Sequence, residues 1–297
     1  MCCHGRDCVH RRGAPGRAVL AERTRYAIFA MVVSFVPAAA RGDEHAPEPA
    51  SESNPPQADP SADHAAESPA PRWKVELKRQ DTDRSTEGES SKTTVRLEAY
   101  PSGTPLSMLR LDLPFPDDRT DFLGSPFDPH LGDISVKAEG KAFQAGGLPL
   151  SPFLELSFPT ANPQSLGQGK YQVTLGVETS VPLASFKVGA TTHKVSFAPL
   201  IEQGVSVAGD KSRKDINYTK LELGLRDDWR NYTLKLTLKP VIDWEQSGQT
   251  GAVTELEGGV NFERGWYVRL MLGHRTWGGS VPSTYGTRAE FTLGRMF

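Results

Sequence analysis

Hydrolysis needs a nucleophile held beside a base, and this chain offers one thin candidate for it. His274 is followed by Thr276 and Ser280 in a segment reading His-Arg-Thr, so a threonine stands where a serine nucleophile is wanted. No Gly-x-Ser-x-Gly elbow occurs anywhere. The cysteines, Cys2, Cys3 and Cys8, crowd the start of the chain with His4 and His10, at spacings that fit no standard zinc ligand set. His130 and His193 sit alone, with no partner at metal spacing. Asp117, Asp118, Asp121, Asp128 and Asp133 gather around one connection, where they could hold a divalent ion or a cation bridging lipopolysaccharide. A solvated acidic loop is the simpler reading. These residues assign no catalytic group, no metal site and no cofactor, and the chain reads as a non-enzyme.

Charges arranged by twos are the richer signal. Lys220, Glu222 and Arg226 share one parity, as do Lys235 and Lys239, Glu255 and Glu257, and Arg288 and Glu290, with Arg269 among them. Lys74, Glu76, Lys78, Glu263 and Arg275 follow the same pattern. In a strand, residues two apart share a face, so each set lines one surface with both signs. Two chemistries fit. Fixed charges around water would set ion or solute preference. Opposite charges could instead pair across neighbouring strands and fill the interior, as Arg269 and Glu257 are placed to do.

The elements that must position these charges are strands. Tyr232, Leu234, Leu236 and Leu238 alternate with Thr233, Lys235, Thr237 and Lys239, and Trp266, Val268, Leu270 and Leu272 alternate with Tyr267, Arg269, Met271 and Gly273. The period is two and not 3.6. It predicts about twelve strands, with ten to fourteen the range: 73–79, 92–100, 106–115, 132–144, 150–159, 168–180, 193–208, 215–227, 231–243, 252–263, 266–276 and 287–297. Most are near ten residues, the length of a tilted membrane strand. Long and short connections mostly alternate, as outer-membrane barrels require; the connection at 181–192 is longer than that rule prefers. The fold class that follows is all-β, an antiparallel up-and-down transmembrane β-barrel, with apolar residues facing lipid and polar residues facing the lumen. A hydrophobic content of only 37% suits a layout in which one face of each strand is wet. Aromatics near strand ends (Trp73, Tyr100, Phe115, Phe158, Trp229, Trp266, Tyr285) suit two interfacial girdles.

The front of the chain is different. Arg11, Arg12, Arg17, Arg23 and Arg25 precede the apolar run Tyr26 to Val36, and Ala38-Ala39-Ala40 follows. That is the pattern of a cleaved secretory signal over 1–40. Residues 41–72 are rich in proline, alanine and glutamate and poor in large apolar groups, the composition of a disordered periplasmic leader. The barrel is then 73–297. The first forty residues hold six of the 34 bases and two of the 36 acids, leaving 28 and 34 and a net charge of about −6. That balance argues against a nucleic-acid partner.

The segment 287–297 closes on Phe297, with Phe291 and Leu293 on the same face. An aromatic there is the expected signal for the outer-membrane assembly machinery. Leu156-Ser157-Phe158-Pro159-Thr160-Ala161, then Leu166-Gly167-Gln168-Gly169-Lys170-Tyr171, resembles a segment of the phenol meta-cleavage-pathway transporter-like outer-membrane barrels. Val241-Ile242-Asp243-Trp244-Glu245 and Trp277-Gly278-Gly279 … Thr284-Tyr285-Gly286-Thr287-Arg288 are similar to late segments of such barrels, so the likeness covers 150–297. It implies a porin-like channel or transporter for small solutes in a Gram-negative outer membrane. The expected partners are membrane lipid, lipopolysaccharide, the assembly machinery and a small solute. The alternatives are a structural or adhesive surface barrel and, behind both, an outer-membrane acyl hydrolase.

Overall fold

Alternation leaves each strand one apolar and one polar face, and only a closed sheet hides both its edges. The computed structural model resolves this as a barrel; it describes residues 72–83, 89–117, 130–278, 281 and 283–297. The signal, the leader up to residue 71, Asp118, Asp121, Asp128 and Ser280 lie outside the described residues.

The strands are β1 (Trp73–Asp83), β2 (Glu89–Ala99), β3 (Leu106–Asp117), β4 (Ile134–Gly140), β5 (Phe143–Ala145), β6 (Leu148–Phe158), β7 (Lys170–Glu178), β8 (Val181–Val188), β9 (Thr191–Gly209), β10 (Asn217–Trp229), β11 (Tyr232–Asp243), β12 (Gln249–Asn261), β13 (Trp266–Gly278) and β14 (Thr287–Met296). Neighbours pair antiparallel throughout, and β14 pairs β1 from Lys74↔Met296 to Asp83↔Thr287. The wall has twelve members. The other two strands, β5 and β8, extend hairpins at the end that carries Trp73 and Phe297. β5 prolongs β4 and pairs only β6, while β8 prolongs β7 and pairs only β9. This accounts for the long connection at 181–192. It is a hairpin arm that lengthens two existing strands, so the barrel count stays at twelve.

Register fixes which side chains share a face. Leu225 pairs Leu236, Leu236 pairs Leu256, Leu256 pairs Leu272 and Val268 pairs Leu293, giving continuous apolar rows on the outside. Leu175, Leu270 and Leu272 are each more than half exposed there. So large an apolar surface calls for lipid and not water around it. The opposite parity carries Glu76, Glu98, Lys137, Thr174, Thr237 and Glu255, all buried inside the barrel.

Glycines let the interior fill. Tyr267 on β13 crosses β14 at Gly294, where a Cβ would come within 2.2 Å of the ring. Its hydroxyl thereby reaches Glu76 on β1, two strands away. The same device recurs where Tyr285 passes Gly273, Tyr218 passes Gly204 and Phe153 lies on Gly176. Each ring lies flat along the wall, and any larger residue at those glycines would collide with it.

Candidate functional site

The lumen is the candidate site, and its charges form chains. Glu76 sits at the hub of one. Lys74 approaches it at 3.2 Å, Arg96 at 3.6 Å and Lys78 at 3.8 Å, and Tyr267 donates a hydrogen bond to it. From the hub, Lys78 reaches Glu290 at 3.3 Å, which links β1 to β14 across the closing seam. In the other direction Arg96 grips Asp112 with two hydrogen bonds of 2.6 and 2.8 Å. Arg110 bridges Asp112 at 3.4 Å and Glu155 at 2.6 Å. A second chain crosses β9 to β12. Glu202 meets Lys220 at 2.8 Å, Lys220 meets Glu222 at 3.1 Å, and Lys239 meets Glu222 at 3.4 Å and Glu255 at 2.8 Å. Tyr285 donates to the far oxygen of Glu255.

The remaining candidate residues are less tightly held. Arg269 lies 3.7 Å from Glu257 across the β12–β13 pair, so these two do join. Arg226 pairs along its own strand with Asp228, at 2.7 Å. Lys235 extends over Gly224, whose missing side chain leaves room for it. Arg288 stacks its guanidinium 3.8 Å above Tyr285 and donates to Thr82. Glu263 sits in the short turn before β13. Arg275 keeps the inward parity through a register shift at Ala252/Val253.

Aromatic packing and water divide the interior. On the β10–β11 side, Val281 from the β13–β14 connection packs against Tyr218 and Val241. Tyr285 from the same connection is 1% exposed. The connection therefore folds inward and occupies that side. On the β1–β7 side a cavity of about 620 Å³ remains, lined by Lys78, Arg96, Asp112, Glu155, Ser135 and Gln172. The β6–β7 connection covers part of it through Ser165 to Gln168. Asp133 fixes that cover by accepting the backbone N–H of Gln168 at 2.6 Å and of Ala161 at 3.1 Å. Gly167 is required there, because a Cβ would sit 2.4 Å from Asp133 Oδ1.

The acidic connection thus uses Asp133 as a backbone clasp, and Asp117 faces Arg79 at 2.8 Å. Among the described residues no group of histidines, cysteines and carboxylates could hold a metal ion. His274 lies outside, opposite Thr254, and Thr254 and Thr276 bond each other at 2.6 Å. His193 also faces outward and sits 2.8 Å from Asp227. Sequence reasoning overlooked Arg96, Glu98, Asp112, Glu155 and Glu202, although the same two-residue parity places them inside. The crossings of aromatic rings over inward glycines were likewise not foreseen. The findable signal was a glycine at an inward position of one strand and a tyrosine at an inward position of the next.

No protein-family model matches the sequence, and no curated protein does. Among solved structures, the chain is similar to an outer-membrane channel from Pseudomonas putida F1. The identity is 15%, the TM-score 0.54, and the match covers 81% of this chain and 100% of that one. It also aligns with the NanC porin at 6% identity and a TM-score of 0.45, over 76% of this chain and 98% of the porin. The first likeness shows the fold to be that of an outer-membrane β-barrel.

Proposed function

We propose that this chain is a porin-like channel of the Gram-negative outer membrane that passes small polar solutes. The observation that carries the reading is the divided lumen. One side is packed by Tyr218, Val241, Val281 and Tyr285, and the other keeps a hydrophilic cavity of about 620 Å³. The cavity wall is charged but locally compensated, with Lys78 against Glu290, Arg96 against Asp112 and Arg110 against Glu155. Compensated walls keep water inside without presenting a net field of one sign. That suits neutral or zwitterionic solutes and predicts little preference between potassium and chloride. Planar-bilayer recording tests the proposal: discrete conductance steps are expected, and their absence together with no solute uptake by liposomes would sink it.

One observation favours a second reading, a closed structural barrel. The inward fold of Val281 and Tyr285 and the paired charges narrow the lumen at the same time. The same recording separates the two, since a closed barrel gives an intact, silent bilayer. The acyl-hydrolase reading would need His274 with a nucleophile on the outer face. No lipase activity in the folded, unsubstituted chain would remove it, and activity retained in a His274→Ala variant would remove His274 from it.

A further inference from the structure

The β8–β9 hairpin is an arm with two unlike faces. Pairing of β9 to β10 sets the hairpin's outward row as Val181, Ala184, Phe186 and Val188 on β8, against Phe197, Val195, His193 and Thr191 on β9. The inward row is Pro182, Ser185 and Lys187 against Ser196, Lys194 and Thr192. The outward row continues the apolar wall, since Phe197 pairs Leu225 and Pro199 pairs Leu223. Phe186 and Val188 are 47% and 59% exposed. Four rings stack in line along this row: Phe186 on His193 at 5.3 Å, His193 on Trp229 at 5.3 Å, and Trp229 on Tyr232 at 5.9 Å. Trp229 and Tyr232 flank the β10–β11 turn, so this stack marks the level where that part of the wall ends. The hairpin continues from His193 to its tip at Gly189 and Ala190, about 10 Å farther at a strand's rise per residue.

An exposed apolar row on a two-stranded arm is costly in water. A β-strand partner is an unsuitable cover. β6 and β7 stop pairing at Ser151↔Glu178, and the two strands that diverge there carry Pro149, Pro152 and Pro182, which cannot donate to a ladder. Lipid is the cover continuous with the rest of the outer face. We propose that the hairpin arm is a membrane-surface element, its Phe186/Val188 row seated in the headgroup region of the periplasmic leaflet and its Ser185/Lys187 face toward water. This rests on the bilayer-spanning reading above. An amphipathic arm bound at an interface needs no partner protein.

The sequence after Cys8 contains no cysteine, which makes site-specific labelling direct. In the full chain with Cys2, Cys3 and Cys8 replaced by serine, an environment-sensitive dye is placed at Val188→Cys, Leu223→Cys or Lys211→Cys. The protein is folded into phosphatidylethanolamine–phosphatidylglycerol vesicles containing lipids spin-labelled in the headgroup region or deep in the acyl chain. The expected result is quenching of the Val188→Cys dye by the headgroup label, of the Leu223→Cys dye by the deep label, and of the Lys211→Cys dye by neither. Adding Phe186→Ser should reduce the quenching at position 188. A dye at 188 that is unquenched while the one at 223 is quenched overturns the arm alone. An unquenched dye at 223 overturns the bilayer reading with it. Blue-shifted, unquenched emission at 188 that grows with the protein-to-lipid ratio would show a second copy on the row and overturn the lipid assignment.

Discussion

Glu76 concentrates more of the lumen's electrostatics than any other residue described above. It is 2% exposed and serves Lys74, Lys78, Arg96 and the Tyr267 hydroxyl. Removing its charge takes a shared buried carboxylate from three cations at once, leaving Lys74 to Glu98, Lys78 to Glu290 and Arg96 to Asp112, and losing a buried charged partner is destabilising. Glu76→Gln should therefore lower the urea midpoint of the refolded barrel far more than Glu257→Gln, whose one ion pair is 3.7 Å long and partly exposed. Gly294 tests the crossing geometry. Gly294→Ala puts a methyl 2.2 Å from the Tyr267 ring, an overpacking worth about 1–3 kcal/mol. Adding Tyr267→Ser should return part of that loss in a double-mutant cycle. Outside the wall, Lys170 donates to Asp215 at 2.7 Å and holds its carboxyl below the usual aspartate range. A lowered carboxylate stabilises above its unfolded pKa and loses that contribution as the pH falls through the lowered value. The connection around Asp215 should thus loosen only under strong acid, and Asp215→Asn should abolish that step in an NMR titration.

At the scale of elements, β14 shows how depth along a strand sets the effect of a charge. Its outward row is Ala289, Phe291, Leu293 and Arg295, with Phe297 just beyond. Arg295 lies 4.6 Å from the Phe297 ring and 5.3 Å from that of Trp266, within an aromatic rim where a cation is tolerated. Leu293 pairs Leu77 and Val268, one step deeper in apolar surface. Leu293→Arg should destabilise the barrel in lipid vesicles by about 2–4 kcal/mol if it reaches the midplane, and Arg295→Leu by about 0–1 kcal/mol. Equal effects would mean that the rim is misplaced. The alternation of β10 to β14 is plain in the sequence, because those strands keep their parity over most of their length, with a register shift at Ala252/Val253. β4 and β5 were merged into one strand, since Lys141 and Ala142 interrupt the pairing without a turn signal. The β8 arm is not legible as a strand in the sequence, because Pro182 and the register shift beside Leu183 break its alternation.

For the whole molecule, the question is whether the cavity side connects through. The connection bearing Val281 and Tyr285 is tied to the wall by Glu255, Tyr218 and Val241. Tyr285→Ala should free it and raise single-channel conductance, while Tyr285→Phe, which keeps the ring, should change conductance less. Lys78→Gln leaves Glu290 without its cation and should shift the reversal potential in a salt gradient toward cation preference. An unchanged potential would place the current elsewhere.

The sequence by itself determined the class, the closing of the barrel and the faces. A two-residue period, paired with lengths near ten residues, admits few arrangements in which every backbone group is bonded and every apolar row finds lipid. It also placed Lys220, Glu222, Lys239 and Glu255 on inward parity, because parity is local. Only the tertiary structure decided which charges meet and which side of the lumen stays open. Those outcomes depend on the stagger between strands. The stagger brings Tyr267 over Gly294 to Glu76, and carries Val281 across the mouth to Tyr218. Stagger belongs to the whole closed sheet and is written in no single strand.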